Sequence, residues 1–279
     1  MSGNTTATLN FYAPPPDGAA PFNHVDPPPP GLPIRNYTTD SRPVPITDIR
    51  GSESSFQNLD RDAFALISGE PPSAETAFTD DDSIKKNYYP ELEALLLKAI
   101  PGANKIIFFD HTIRRASKDS PREPVQRVHI DQTARSAALR VRRHAASDDE
   151  ADRLLAGRYR IVNVWRPLNR GPVASFPLAF ASSASLRDDE VVPVEHRYAN
   201  GYTGETAGIR YHEGQRWYYL SGMTGDQRLL LECFDSEALK EGSGVQGGRV
   251  AHTAFAHPGT AEDAEGRESI EVRALVFGP

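Results

Sequence analysis

From residue 105 to residue 277 the chain is cut into short β-rich runs with turn residues between them. The runs are "KIIFFDHTI", "VQRVHID", "YRIVNVWRP", "EVVPVEHRYA", "AGIRYHEG", "RWYYLSG", "RLLLECFDS", "RVAHTAFA" and "SIEVRALVF". Valine, isoleucine, threonine and aromatic side chains at this length favour strands. Eight or more antiparallel-length strands with helices gathered ahead of them suggest a two-sheet roll backed by helices. The class expected is mainly β with flanking helices.

The segment before the roll is different. Residues 1–51 carry Pro14 to Pro16, Pro27 to Pro30, Pro33, Pro43 and Pro45, which break helices and remove ladder donors. This segment is expected to be extended and laid over the body, with β-like pieces at "TLNFYA" and "PIRNYT". Leu9, Phe11, Tyr12, Phe22 and Tyr37 give it surface to bury. Residues 52–104 hold the helical signals, "DRDAFALISG" and "NYYPELEALLLKAIPG", the second stopping at Pro101 and Gly102. Tyr89, Leu92, Leu95, Leu96 and Ile100 approximate a helical stripe. A further helix is expected from about residue 148 to 155. The whole is expected to be one domain over 1–279: a Pro-rich start, a helical support and the roll at 105–277.

Composition narrows the function. With 31 basic and 38 acidic residues the net charge is −7, which argues against a nucleic-acid groove or an anionic membrane as main partner. One cysteine among 279 residues excludes an internal disulfide and a Cys-rich zinc site. No apolar run approaches the roughly 20 residues of a membrane span, and the first residues lack the order of a signal peptide. A cytoplasmic protein acting on a small molecule is the expectation, with oligomeric state left open. There is no internal repeat and no Gly-rich phosphate loop.

The chemistry concentrates in "QRVHIDQT". Alternate residues of a strand point the same way, so His129 and Asp131 project together, about 7 Å apart at the backbone. An imidazole and a carboxylate so placed can converge on one metal ion. Two histidines and a carboxylate with open positions form the site of non-haem Fe(II) oxygenases. By itself H-x-D is a weak signal, and a third ligand must come from a distant strand. His24 and His144 read as solvated, His111 lies on a strand upstream, and His196 and His212 fall beside turns. His252 sits on the penultimate strand among small and apolar residues, and His257 belongs to the turn after it. Arg267 and Ser269 are again two apart, opening the last strand.

The order H-x-D, distal His, then R-x-S on the final strand resembles the Fe(II)/2-oxoglutarate oxygenases of the double-stranded β-helix (jelly-roll, cupin-like) fold. More closely, "RVHIDQT", "NVWRPL", "RWYYLSGMTGDQRLLLECFDS", "AHTAF" and "RESIEVRALVF" are similar to the fungal AsaB/CmcJ-like hydroxylase/desaturase family, across roughly residues 105 to 277. Size and the Pro-rich start also resemble the TqaL-type aziridine synthases within that group.

The resemblance implies a jelly-roll core and an enzyme that uses Fe(II), 2-oxoglutarate and O₂ to remove hydrogen from an unactivated C–H bond. Hydroxylation, desaturation or ring closure would follow, and the narrower resemblance points to aziridine formation from valine. By position His129, Asp131 and His252 would be the iron ligands. Arg267 with Ser269 would hold the distal carboxylate of 2-oxoglutarate, a pairing that suits guanidinium chemistry. One departure is the fifteen positions between His252 and Arg267, which require the acidic "AEDAEG" to loop out.

Strand parity adds substrate candidates. Arg127 shares the face of His129 and Asp131 and could meet an anionic substrate or form a salt bridge. Asn163 and Trp165 share one face of their strand, with Val164 and Arg166 on the other. Arg273 shares the parity of Arg267 and could replace it, or pair with Glu271 or another acid. Arg114 and Arg115 could reach the mouth of the site but read as exposed basic residues, the "RWYYL" aromatics read as core, and Cys233 as a small buried hydrophobe. A non-redox cupin-like binding module, or a metal-assisted isomerase or hydrolase, could use the same roll.

Overall fold

A computed structural model describes residues 3–115 and 124–278. Among these residues two sheets pack face to face. The strands are β1 (Thr5–Ala13), β2 (Phe22–His24), β3 (Thr38–Asp48), β4 (Phe64–Ile67), β5 (Lys105–Arg114), β6 (His129–Ile130), β7 (Tyr159–Pro167), β8 (Leu178–Ala181), β9 (Val191–Arg197), β10 (Thr203–Ile209), β11 (Trp217–Tyr219), β12 (Arg228–Asp235), β13 (His252–Ala254) and β14 (Ser269–Phe277). The helices are α1 (Leu59–Asp62), α2 (Asp81–Ala99), α3 (Ala134–His144) and α4 (Asp148–Ala156). One sheet has nine strands in the order β1-β3-β11-β8-β13-β6-β10-β9-β2, and the other five, β4-β12-β7-β14-β5. The mainly β roll with flanking helices is the fold expected.

Alternation builds the core. Phe11 from β1, Trp217 and Tyr219 from β11, and Ile161 and Leu275 from the five-stranded sheet meet between the sheets and are almost fully buried. Phe11 packs edge-on against Trp217 with ring centroids 5.9 Å apart. Losing a ring of that kind from a core typically costs about 3–5 kcal/mol. Behind the five-stranded sheet, Ile84, Tyr88, Leu92 and Leu96 of α2 cover Val162, Val164, Val272 and Ala274.

The first residues are integral to the larger sheet. β1 runs antiparallel to β3 over its whole length, and β3 continues in parallel with β11. Pro43 and Pro45 are tolerated inside β3 because they lie two apart, opposite Thr8 and Thr6. Both missing donors therefore belong to one edge, and β11 joins that edge only from Ile46 onward. "PIRNYT" supplies a single bridge, Asn23 to Arg35, and the strand proper starts at Thr38.

Several local expectations are corrected. "DRDAFALISG" forms a helix only over Leu59–Asp62, which ends at Ala63 in the left-handed region (φ 58°). Phe64–Ile67 then pairs with β12. A four-residue apolar run carries no periodicity that separates strand from helix, and the waiting sheet edge decides. The basic stretch that ends at His144, for which no helix is expected, forms α3. Thr133 and Ser136 make a reciprocal capping box, and Arg142, Arg143 and His144 suit the negative end of the dipole. His144 stacks on Phe109, centroids 5.5 Å apart, and is half-buried. "LAFA", too short to stand out, is β8. The run "VQRVHID" contributes only His129–Ile130 to the ladder, plus a bridge from Arg127 to Asn10.

Candidate metal and cosubstrate site

Cross-strand register brings the ligand-type residues together. β13 pairs with β6 through one position, His252 opposite His129, and their ring centroids are 4.4 Å apart. Asp131 follows on the same face, with Oδ1 3.3 Å from His129 Nε2 and 4.0 Å from His252 Nε2. One ligand atom from each of the three lies within 4.8 Å of the others.

Each donor atom is oriented. His129 Nδ1 donates to the Arg127 carbonyl at 2.7 Å and His252 Nδ1 to the Val250 carbonyl at 3.3 Å. A carbonyl only accepts, so Nδ1 carries a proton in both rings and Nε2 is the nitrogen turned toward Asp131. Asp131 Oδ2 accepts from Asn163 Nδ2 at 2.8 Å and from Arg273 Nε at 3.1 Å, leaving Oδ1 facing the histidines. Asn163 and Arg273 are themselves cross-strand partners on β7 and β14.

The electrostatics suit a cation. Burial would raise the Asp131 carboxyl, but the Arg273 charge and the His129 contact hold it well below the usual carboxylate range. Burial, reinforced by the neighbouring His129, pushes His252 down to about 4, so its ring stays neutral. Arg273 is raised because Glu271, Asp131 and Asp110 outweigh its burial. Burial raises the Glu271 carboxyl against the pull of Arg273.

Arg267 and Ser269 lie on the same wall, in a cavity of about 210 Å³ that also takes in Trp165 and Arg127. Arg267 is 4% exposed. Its Nη1 donates to the Phe176 carbonyl at 2.7 Å, its guanidinium lies 5.6 Å from the Trp165 ring, and its Nε has no partner among the described residues. Burial, with Arg114 adding to it, lowers Arg267 to about 10. A buried donor fork without a carboxylate is the complement of an anionic ligand. Two imidazoles, one carboxylate and this guanidinium fit a divalent iron with a dicarboxylate beside it.

The long interval from His252 to Arg267 is absorbed by a loop tied to the β7–β8 connection. Asn169 Nδ2 donates to the Gly266 carbonyl at 2.9 Å and Ser175 Oγ to the Glu265 carbonyl at 2.9 Å.

The other candidates are distributed as follows. Arg127 faces the cavity and donates to the Tyr37 hydroxyl. Trp165 stands opposite Glu271. Arg273 ties Asp131 to Glu271, Asp110 and Thr112. Arg115 binds Glu268 at 2.8 Å and the Ala77 carbonyl at 2.7 Å, away from the cavity. His111 joins Tyr89 and Asp81 of α2, His212 sits with Arg187, and His257 packs on Tyr219.

Sequence reading passed over Tyr12, Tyr37, Thr112 and Glu271 on the cavity wall, and set His196 aside beside a turn. His196 faces the cavity with Nε2 3.0 Å from Thr206 Oγ1, and burial lowers it to about 4. Glu271 was accessible by parity with Arg267 and Ser269, whereas Tyr12 and Tyr37 arrive from distant strands. Gly208, opposite His129, admits Tyr12: a Cβ there would lie 3.0 Å from the ring.

Known proteins agree with this architecture. A family model described as an oxidoreductase/YMDC permease-like domain matches residues 9–277. No helix among the described residues is long and apolar enough to cross a membrane. The hydroxylase/desaturase poxK of Penicillium oxalicum is 41% identical over 276 residues, covering 90% of this chain and 84% of the relative. The alpha-ketoglutarate-dependent dioxygenase phiK of a fungal species (strain ATCC 74256) is 33% identical, covering 98% and 96%. The solved iron and alpha-ketoglutarate-dependent endoperoxidase NvfI superposes with a TM-score of 0.86 at 28% identity, covering 100% of this chain and 99% of that one. Register, ligand atoms and relatives lead to one conclusion: the chain belongs to the fungal Fe(II)/2-oxoglutarate-dependent hydroxylase/desaturase family of secondary metabolism.

Proposed function

We propose that His129, Asp131 and His252 hold the iron, that Arg267 and Ser269 hold the distal carboxylate of 2-oxoglutarate, and that the substrate is a small carboxylate or amino-acid-like precursor. The observation that carries the cosubstrate assignment is the buried Arg267 Nε, without a partner among the described residues. When bound, iron with 2-oxoglutarate and O₂ supplies the oxidising power that removes hydrogen from an unactivated C–H bond.

The protein's own groups bind, orient and exclude water. The two Nδ1–H donations orient both rings with Nε2 toward Asp131, and Asn163 and Arg273 restrain the carboxylate of Asp131. Trp165 supports the Arg267 guanidinium from the side. Across the cavity, Arg127 is propped by Tyr37 and remains available to a carboxylate. The cavity volume of about 210 Å³ is below the roughly 300–1,000 Å³ of pockets for drug-sized ligands, which favours a small substrate. Valine, closing to an aziridine, is the narrowest form of this reading; hydroxylation and desaturation are the other outcomes of the same hydrogen removal.

The test is anaerobic reconstitution with Fe(II), then oxygen, 2-oxoglutarate and a panel of small carboxylates and amino acids that includes valine. Succinate release and product mass are followed. Release should be stimulated by carboxylates and not by their amides. Turnover without 2-oxoglutarate would overturn the cosubstrate assignment, and equal stimulation by amides would overturn the substrate class.

A further inference from the structure

β6 and the residue after it carry His129 and Asp131, yet the ladder around them is short. Among the described residues β6 pairs with β10 at two positions and with β13 at one. Residues 126–128 lie before that pairing, and the first strand of the chain takes hold of them. Asn10 of β1 forms a parallel bridge to Arg127. Asparagine is depleted in strands, and Asn10 stands between the buried Leu9 and Phe11. Strand formation alone does not account for it.

The backbone and both ends of the Asn10 side chain are engaged. Its carbonyl accepts from the Val128 amide at 2.9 Å, and its Nδ2 donates to the Gln126 carbonyl at 2.9 Å. Its Oδ1 accepts from the Ser41 hydroxyl of β3 at 2.7 Å, which fixes the orientation of the amide. A side-chain amide offers a donor and an acceptor from one planar group, and both are used.

These contacts reach His129 through a single peptide unit. The Val128 N–H and the Arg127 C=O belong to one rigid plane and point in opposite directions. Asn10 holds the N–H end, and the C=O end receives the His129 Nδ1–H at 2.7 Å. Whatever tilts this peptide tilts the imidazole. The preceding peptide is held from the same side through the Gln126 carbonyl. On the opposite edge the Val125 carbonyl accepts from the Ala254 amide at 2.9 Å. The N-terminal segment also reaches the Arg127 side chain, through the Tyr37 hydroxyl. Asn10 itself lines the iron cavity.

We infer that Asn10 is a positioning residue for the iron site: by clamping residues 126–128 to β1, it aims the Arg127 carbonyl that orients His129. This rests on the ligand set proposed above. A group in direct contact with a metal ligand typically contributes about 10–100-fold in metal affinity. Asn10 acts one peptide further out, so its share is smaller.

The experiment measures Fe(II) affinity anaerobically by competition with a chelator, using the full chain. Asn10→Ala should weaken Fe(II) by about three- to tenfold, the low end of such effects. Its affinity for 2-oxoglutarate, read by calorimetry at saturating Fe(II), should match wild type, because Ser269 stands on the other sheet and Arg267 just before it. Ser41→Ala frees the Asn10 amide to turn and should give a smaller loss of Fe(II) affinity. It decides the matter where Asn10→Ala does not fold. Val44→Ala removes buried surface from the same strand pair. It should lower the melting temperature at least as far and leave Fe(II) affinity unchanged. Unchanged Fe(II) affinity in Asn10→Ala, or in Ser41→Ala where that variant decides, would overturn the inference. So would equal losses in Asn10→Ala and Val44→Ala, or a parallel loss of 2-oxoglutarate affinity, since either would make the effect one of general loosening. His129→Ala is measured alongside: if it keeps its iron, the ligand set fails and the inference with it. If it loses iron while Asn10→Ala binds normally, only the role of Asn10 falls.

Discussion

His252 stands directly opposite His129 in the ladder between β13 and β6, and this single pair carries the whole register of the two strands. Both rings donate from Nδ1 to a carbonyl of the residue two positions before them. The two Nε2 atoms are thereby presented side by side to Asp131 Oδ1. Removing any of the three should therefore abolish turnover and iron retention. We expect His129→Ala, Asp131→Ala and His252→Ala to lose bound iron by elemental analysis while keeping the wild-type circular dichroism spectrum. His212→Ala should keep its iron; loss there with retention in His252→Ala would reassign the ligand.

Arg267→Ala should separate cosubstrate from metal. Truncating one partner of a buried charged pair costs about 2–5 kcal/mol, so 2-oxoglutarate should bind roughly 30-fold to several thousand-fold more weakly. Iron content should not change, because Arg267 touches none of the three ligands. Anaerobic calorimetry with 2-oxoglutarate reads both proteins directly, and an unchanged affinity would move the carboxylate elsewhere on the wall.

Asn163 and Arg273 restrain Asp131 Oδ2 from two neighbouring strands. Groups that orient a ligand in this way typically contribute about 10–100-fold in metal affinity. Asn163→Ala and Arg273→Met should each weaken Fe(II) by that order without abolishing binding, as read by competition with a chelator of known affinity. Arg273→Met should be the more severe, since it also frees Glu271 and Asp110.

The Arg127 side chain faces the cavity, and among the described residues Tyr37 is its hydrogen-bond partner. Arg127→Leu should raise the apparent KM for substrate far more than that for 2-oxoglutarate. Equal effects on both would make Arg127 a structural residue.

Glu75 offers a pH test remote from the iron. The Ser83 hydroxyl and the Phe78 amide donate to its carboxylate and lower it from 4.5 to about 2. A depressed carboxyl stabilises the fold fully above its ordinary value and loses that contribution as pH falls toward its folded value. Glu75→Gln should thus melt below wild type at pH 6, and the gap should narrow between about pH 4.5 and pH 2. A gap that is constant with pH would show that the charge contributes nothing.

Much of the architecture was legible along the chain because strands announce themselves by β-branched and aromatic runs. β5, β7, β12 and β14 occupy almost the residues read for them, since each is long enough for pattern to dominate. β8, at Leu178–Ala181, and β4, at Phe64–Ile67, were not legible or were misread, because four apolar residues carry no period. α3 was hidden for another reason: its arginines mask a narrow buried stripe of Ser136, Ala137 and Val141.

The sequence by itself determined which residues share a face: His129 with Asp131, Asn163 with Trp165, and Arg267 with Ser269, Glu271 and Arg273. Period-two alternation is a local property of extended backbone, so no tertiary information was needed. Only the tertiary structure decided which faces meet. That His252 lies against His129, that Asn163 and Arg273 close on one oxygen of Asp131, and that Tyr12 and Tyr37 reach the cavity all depend on pairing between distant strands. Such pairing is set by the burial of Phe11, Trp217, Ile161 and Leu275 between two sheets, a global balance that no short window of residues contains.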